Sequence, residues 1–287
     1  MERRNYCFLT VAACLLVSGA PAQILPQITL TVNCAAGQKV GSILKALEVL
    51  PRPATVNIQG VCTEPVLITR DDLTLRGTTA TDGLRLPPGS GTVLSIDGAR
   101  RVVLNRMRLD GGAVGLAATG GASFTASDLL VTGGQRTGVS VTMNASGRLS
   151  SSTVENVSEN ALLVQSNGSL WISGSRVLNS VSNAGWVDQG GQLMLTEGTV
   201  VRNAGGSFNA LTAREGGSIT VDHATVECGS TAASGAYAFT GGTVVIAVGG
   251  LIQSCQGGWW WMGAVRNSVG GSPTTRGAFM SGTEAAS

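Results

Sequence analysis

Apolar residues in this chain recur in pairs two positions apart, and the pairs themselves recur. From residue 102 onward the pairs are Val102/Leu104, Phe124/Ala126, Gly147/Leu149, Leu170/Ile172, Leu193/Leu195, Ile219/Val221 and Val244/Ile246. Spacing of two is the period of a half-buried β-strand. Five or six residues after each pair comes one more apolar anchor: Leu109, Val131, Val154, Val177, Val201, Val226 and Ile252, at intervals of 22, 23, 23, 24, 25 and 26 residues. A second strand follows and ends at a turn such as Asn167-Gly168, Gly190-Gly191, Gly216-Gly217 or Gly241-Gly242. Such a unit holds two or three short strands and cannot bury its apolar side alone, whereas stacked on a copy of itself it can. The pattern therefore predicts an all-β chain folded as a parallel β-solenoid, each unit one coil, rising ~4.8 Å per coil with one elongated core.

Two polar columns support that register. Asn156, Asn179 and Asn203 stand two residues after their anchors, and Cys228 takes the place in the next unit. Asparagine tolerates the left-handed conformation and can bond a copy of itself one coil away, so these three predict a structural ladder at a bend. Ser152, Ser175 and Thr199, two residues before their anchors, predict a stack of small hydroxyls.

Upstream the period changes. Residues 40–50 place apolar side chains at helical spacing and are stopped by Pro51 and Pro53, which predicts a short helix capping the first coil. Further upstream, Met1-Glu2-Arg3-Arg4, an apolar run and Ser18-Gly19-Ala20-Pro21-Ala22 match a secretory signal peptide cleaved after residue 22. The resulting organisation is a signal over 1–22, a capped first coil over 23–62, the β-helix over 63–268 and a loosely ordered tail over 269–287. The chain is expected to be secreted, periplasmic or on the cell surface. No stretch reaches the ~18 apolar residues of a membrane span. Removing the signal leaves Cys34, Cys62, Cys228 and Cys255, an even number in an exported chain. The repeat register selects Cys34–Cys62, fastening the cap, and Cys228–Cys255 on adjacent coils.

Composition agrees with this architecture and narrows the partners. Charged residues are only 13% of the 287 and glycine reaches 41, about twice its usual share, which suits many strands and tight turns. A net charge of +2 excludes the basic footprint of a nucleic-acid binder. Without a CxxC or a cluster of carboxylates, nothing calls for a metal or a cofactor.

The stretch Thr31-Val32-Asn33-Cys34, the helix, residues 54–60 and then residues 64–77 (EPVLITRDDLTLRG) resemble the opening of right-handed parallel β-helix proteins of the pectate lyase and pectin methylesterase-like superfamily. That resemblance implies an acidic-polysaccharide enzyme with its site on the outward face of one sheet. It does not carry the chemistry with it. The only histidine, His223, lies in Asp222-His223-Ala224, so no Gly-His-Gly is present, and neither the calcium carboxylates nor the paired aspartates with Gln and Arg can be matched. Asp71-Asp72 reads as turn chemistry.

Two groups of residues remain. Glu197 and His223 fall on neighbouring coils with Asp222 alongside, the composition of a general acid–base site. The outward column Arg148, Trp171, Met194, Thr220, with Asp222 on the same face, is suited to stacking a sugar ring. Trp186 and Tyr237 form a similar column on another strand, and Trp259, Trp260 and Trp261 are expected to cover the C-terminal end of the core or meet a partner. The leading expectation is a non-catalytic protein presenting an elongated face to a polysaccharide, a cell-surface glycan or another partner. The alternatives are a polysaccharide lyase or hydrolase of pectin-lyase-like fold, and a structural, adhesin-like solenoid.

Overall fold

The computed structural model describes residues 28–34, 43–203, 209–228, 235–254, 260–261 and 264–267. Residues 1–27 and 269–287, holding the expected signal and tail, lie outside them, as do Cys255 and Trp259. Within the described residues each coil contributes one strand to each of three parallel faces. The first face runs from Ile28–Asn33 and Ala54–Gln59 to Thr243–Ile246 and Ala264–Asn267. The second starts at Val61–Cys62 and ends at Leu251–Gln253; the third starts at Val66–Ile68 and ends at Trp260–Trp261. The third face is a nine-stranded sheet. The first two join into one of eighteen strands, because Val102–Gly111 and Ser123–Thr132 run round the corner without a break.

The stacked columns appear as the sequence predicts. Val102, Phe124, Gly147, Leu170, Leu193, Ile219 and Val244 share one register, coil upon coil. The anchors from Leu109 through Val154, Val177 and Val201 to Ile252 share another. Val154, Val177 and Val201 are buried, so every coil adds branched side chains to one interior. Gly147 fits this column for a local reason: a Cβ there would overlap the ring of Phe124 one coil below and come within 3.2 Å of Leu170 Cδ1.

Corners are where the polar columns act. Between the first and second faces the backbone turns through left-handed residues, among them Arg106, Asp128, Ser151, Glu197 and His223, with φ between 48° and 53°. The buried hydroxyl stack closes this corner. Ser152 Oγ donates to Ser150 O (2.8 Å) and accepts from Leu129 N (3.1 Å), while Ser175 Oγ accepts from Ser152 N (3.0 Å). At the next corner Asn156 and Asn179 are left-handed (φ 56° and 54°), and Asn179 Nδ2 donates to Asn156 Oδ1 at 3.2 Å. Asn203 continues the register and is paired with Cys228 on the coil above. A second ladder, unrecognised in the sequence, opens the third face: Asn183 Nδ2 donates to Asn160 Oδ1 at 3.0 Å and Asn183 Oδ1 accepts from Thr212 Oγ1 at 3.0 Å.

The cap is the helix Ile43–Val49, whose Ile43 and Ala46 are buried. Both of its ends are held by the second coil. Glu64 Oε1 accepts from Ile43 N at 2.6 Å, a carboxylate at the positive end of the helix. The Arg70 guanidinium donates to the carbonyls of Leu47 (2.8 Å), Leu50 (2.6 Å) and Pro51 at the negative end. Cys34 and Cys62 form the disulfide that the register selects, with Cα atoms 5.0 Å apart. Cys228 is buried at the end of its strand, and its expected partner Cys255 is outside the described residues. Asp71 and Asp72 serve the turn before the first face. Asp71 Oδ1 accepts from Arg100 N at 2.8 Å, and Asp72 (φ 58°) takes a two-pronged bond from Arg101 at 2.6 and 2.8 Å.

Candidate functional site

A strand with one side against the core must present every second side chain outward. On the first face, therefore, the residues between the core pairs form an outer column: Thr125, Arg148, Trp171, Met194, Thr220 and Val245 are in register. Flat parallel rungs bring these side chains within contact of their neighbours above and below. The Arg148 guanidinium lies over the Trp171 indole, 4.8 Å from its centroid, and Trp171 Nε1 donates to the Met194 sulfur. Trp171 nevertheless keeps 41% of its surface exposed. On one side of it runs a row of small polar residues, Ser127, Ser150, Ser173 and Thr196, and on the other Ser123, Ser146, Ser169, Gln192 and Ser218. A fixed indole between rows of hydroxyls offers an apolar plate for C–H groups and hydrogen-bonding partners for whatever surrounds them.

Asp222 and His223 follow directly on this face. Asp222 Oδ1 and His223 Nδ1 are 2.7 Å apart, both side chains being substantially exposed. His223 is itself a left-handed corner residue, and its ring rests against the Gly249 backbone of the next coil, where a Cβ would come within 2.7 Å of His223 Cδ2. Glu197 occupies the corresponding corner below, with its backbone O accepting from Gly174 N. The structure thus joins two of the three acid–base candidates, Asp222 with His223, and gives Glu197 a turn position on the coil beneath. Among the described residues no three His, Cys, Asp or Glu side chains converge as a metal site would require.

The third face carries a denser cluster, of which the sequence disclosed only Trp186 and Tyr237. Leu163, Trp186, Thr212 and Tyr237 form its outer column. Beside them Asp188 is wholly buried although it lies outside the core. Its Oδ2 accepts from Gln165 Nε2 (3.0 Å), Trp186 Nε1 (3.1 Å) and Arg214 Nε and Nη2 (3.2 and 3.0 Å). The same Arg214 stacks on Trp186, 4.7 Å from its centroid, and Tyr237 and Phe239 are 4.9 Å apart. A sequence signal for this group existed in the spacing of Trp186, Arg214 and Asp188 about the inward Val187 and Ala213. Because its members differ from coil to coil, no repeated residue marks them. Trp260 and Trp261 pair in register with Tyr237 and Ala238.

Elsewhere, a cleft of about 520 Å³ separates the capping helix from the first coils, lined by Leu44, Leu47, Leu50, Leu67 and Arg70 among others. No described helix is long and apolar enough to cross a membrane.

Comparison with protein-family models gives no match, and comparison with curated proteins gives none either. Solved structures do match. A pectin methylesterase variant in complex with a hexasaccharide superposes with a TM-score of 0.52 at 12% identity, over 87% of this chain and 93% of that one. A pectate lyase gives 0.51 at 8% identity, over 87% and 79%. An open-reading-frame product of Geobacillus virus E2 gives 0.53 at 8% identity, over 77% and 53%. Identities this low speak for architecture alone, and on that level they agree with the stacked registers: the chain is a right-handed parallel β-helix with a pectin-lyase-like fold.

Proposed function

We propose that this protein is an exported, non-catalytic carbohydrate-binding β-helix whose first face receives a polysaccharide or cell-surface glycan along the solenoid axis. The observation that carries the reading is Trp171, held between Arg148 below and Met194 above and still 41% exposed. Aromatic side chains that are fixed before binding lose little freedom when a ligand arrives. The hydroxyl rows on either side supply donors and acceptors at the ~4.8 Å rung spacing, a short enough interval for one sugar unit to span two coils. A solved protein of the same fold carries a hexasaccharide, which supports the ligand class. The test is a glycan array probed with the protein freed of residues 1–22, and with Trp171→Ala. Discrete glycan signals that fall about tenfold or more in the variant support the reading; an array without signal removes it.

A second reading, a polysaccharide lyase or hydrolase, draws on the Asp222–His223 contact of 2.7 Å. A carboxylate that orients an imidazole is one half of an acid–base pair. Release of reducing ends or unsaturated products from pectin or alginate, lost in His223→Ala, would favour this reading over binding alone.

A further inference from the structure

We propose that the third face carries a second ligand site, separate from the Trp171 column, that takes a neutral sugar ring on Trp186 with Asp188 Oδ1 as hydroxyl acceptor. The inference shares its ligand class with the function proposed above and none of its residues.

The starting point is an imbalance at Asp188. Four N–H groups from Gln165, Trp186 and Arg214 converge on Oδ2, while Oδ1 is buried without any hydrogen-bond partner. A buried acceptor left unpaired is destabilising, and folded proteins rarely keep one without a use. Here the whole side chain has no exposed surface, yet it sits on the outer side of the wall, with Trp186, Gln165 and Arg214 donating to it from its own and the adjacent coils. Arg214 is a part of these surroundings that is open to solvent: its side chain is 31% exposed. It stacks on Trp186 and donates to Asp188 at the same time.

That double role describes the occupant. A pyranose ring has a C–H face that stacks on an indole and hydroxyls that donate to a carboxylate, so it can take Arg214's place over Trp186 and supply the proton donor that Oδ1 lacks. Electrostatics select among ligands. Arg214 and Asp188 neutralise each other at 3.0 Å, and Glu215 stands 3.8 Å from the same guanidinium. An arriving anion meets these carboxylates and an arriving cation meets Arg214, whereas an uncharged hydroxyl finds both donor and acceptor. Tyr237, two coils above Trp186 in the same outer column, with the buried Thr212 between them, provides a second ring about 10 Å away at the rung spacing.

The test uses titration calorimetry on the chain freed of residues 1–22, with cellohexaose, xylohexaose and mannohexaose as neutral probes and hexagalacturonate as the charged contrast. Wild type, Trp171→Ala, Trp186→Ala, Tyr237→Ala and Asp188→Asn are compared, each with its melting curve. Asp188→Asn keeps an oxygen for the four donors and puts an N–H where the orphan acceptor was. The expected result is that a neutral hexasaccharide still binds once Trp171 is replaced by alanine, through the third face, and loses about tenfold or more in affinity in Trp186→Ala and Asp188→Asn, with Tyr237→Ala following in the same direction should either of those variants fold poorly. Neutral probes that bind Asp188→Asn, Trp186→Ala and Tyr237→Ala as tightly as wild type overturn the inference, Oδ1 then holding water only, and leave the first-face reading standing. Binding abolished by Trp171→Ala alone has the same meaning. No binding of any neutral probe to wild type overturns the inference, while hexagalacturonate binding lost in Trp171→Ala would still uphold the first face.

Discussion

Gly147 offers a direct probe of how one coil fits the next. Its backbone is extended within the strand Ser146–Ser150, so replacing it by alanine brings no left-handed strain and, taken alone, would stabilise the protein by about 0.4–1 kcal/mol through the unfolded chain. What opposes this is Phe124, whose Cε1 and Cζ occupy the place of the new methyl. Overpacking of a close-packed core costs about 1–3 kcal/mol, and Phe124 is only 3% exposed, with little room to withdraw. Gly147→Ala is therefore expected to destabilise by about 1–2 kcal/mol net. Phe124→Leu removes three carbons and should cost about 2 kcal/mol. Combined, the substitutions should fit together, because the alanine methyl enters space the ring has left. In the Phe124→Leu background Gly147→Ala is expected to be neutral, or stabilising by up to about 0.5 kcal/mol. Urea unfolding followed by far-ultraviolet circular dichroism, run as a double-mutant cycle, measures this. A coupling of at least about 1 kcal/mol is expected, beyond the ~0.5 kcal/mol scatter of independent sites. Strict additivity would refute the contact, and with it the register that stacks residue 124 on residue 147.

Further expectations concern the corners and the cap. At Asn179 (φ 54°), alanine loses both the ladder bond and the residue's tolerance of the left-handed conformation, whereas glycine loses only the bond; the two variants should differ by about 1 kcal/mol in unfolding free energy, glycine being the more stable. Asp82 is largely buried, which by itself would raise its carboxyl, but bonds from Thr78, Gly60 and Thr79 outweigh burial and hold it below the usual carboxylate range. With its folded pKa depressed, Asp82 contributes stability that is present above the unfolded value and lost as pH falls through the folded one. Asp82→Asn should thus lower the melting temperature at neutral pH and flatten its decline below about pH 4. Arg70→Ala frees three carbonyls at the end of the capping helix and should destabilise by about 1–3 kcal/mol, with faster amide exchange over 43–50.

How far the sequence disclosed this molecule depends on what repeats. The columns Val154-Val177-Val201 and Asn156-Asn179 were legible because a coil-to-coil neighbour must solve the same packing or turning problem, and the same residue type solves it each time. The ladder from Asn160 to Asn183 keeps the same 23-residue interval as Asn156–Asn179, but the coil below places Thr137 in that register, so the asparagine is not repeated there. Asp188 was illegible for a different reason. Gln165, Asp188, Arg214 and Phe239 make up one column whose members complement rather than copy one another, and periodicity cannot show complementarity. The Trp171 column was found from the sequence because its strand register was already fixed by Leu170 and Ile172. Its contacts with Arg148 and Met194 follow from that register.

The proposed first-face function turns on whether Trp171 meets a glycan. Titration calorimetry of wild type, Trp171→Phe and Trp171→Ala, against a glycan that gives a positive array signal, measures this most directly. Phenylalanine should keep most of the stacking and bind within a few-fold of wild type, and alanine should weaken binding by about tenfold or more, the loss of about 1.4 kcal/mol or more expected of an aromatic anchor. Equal affinities in all three proteins would contradict the proposed first-face site.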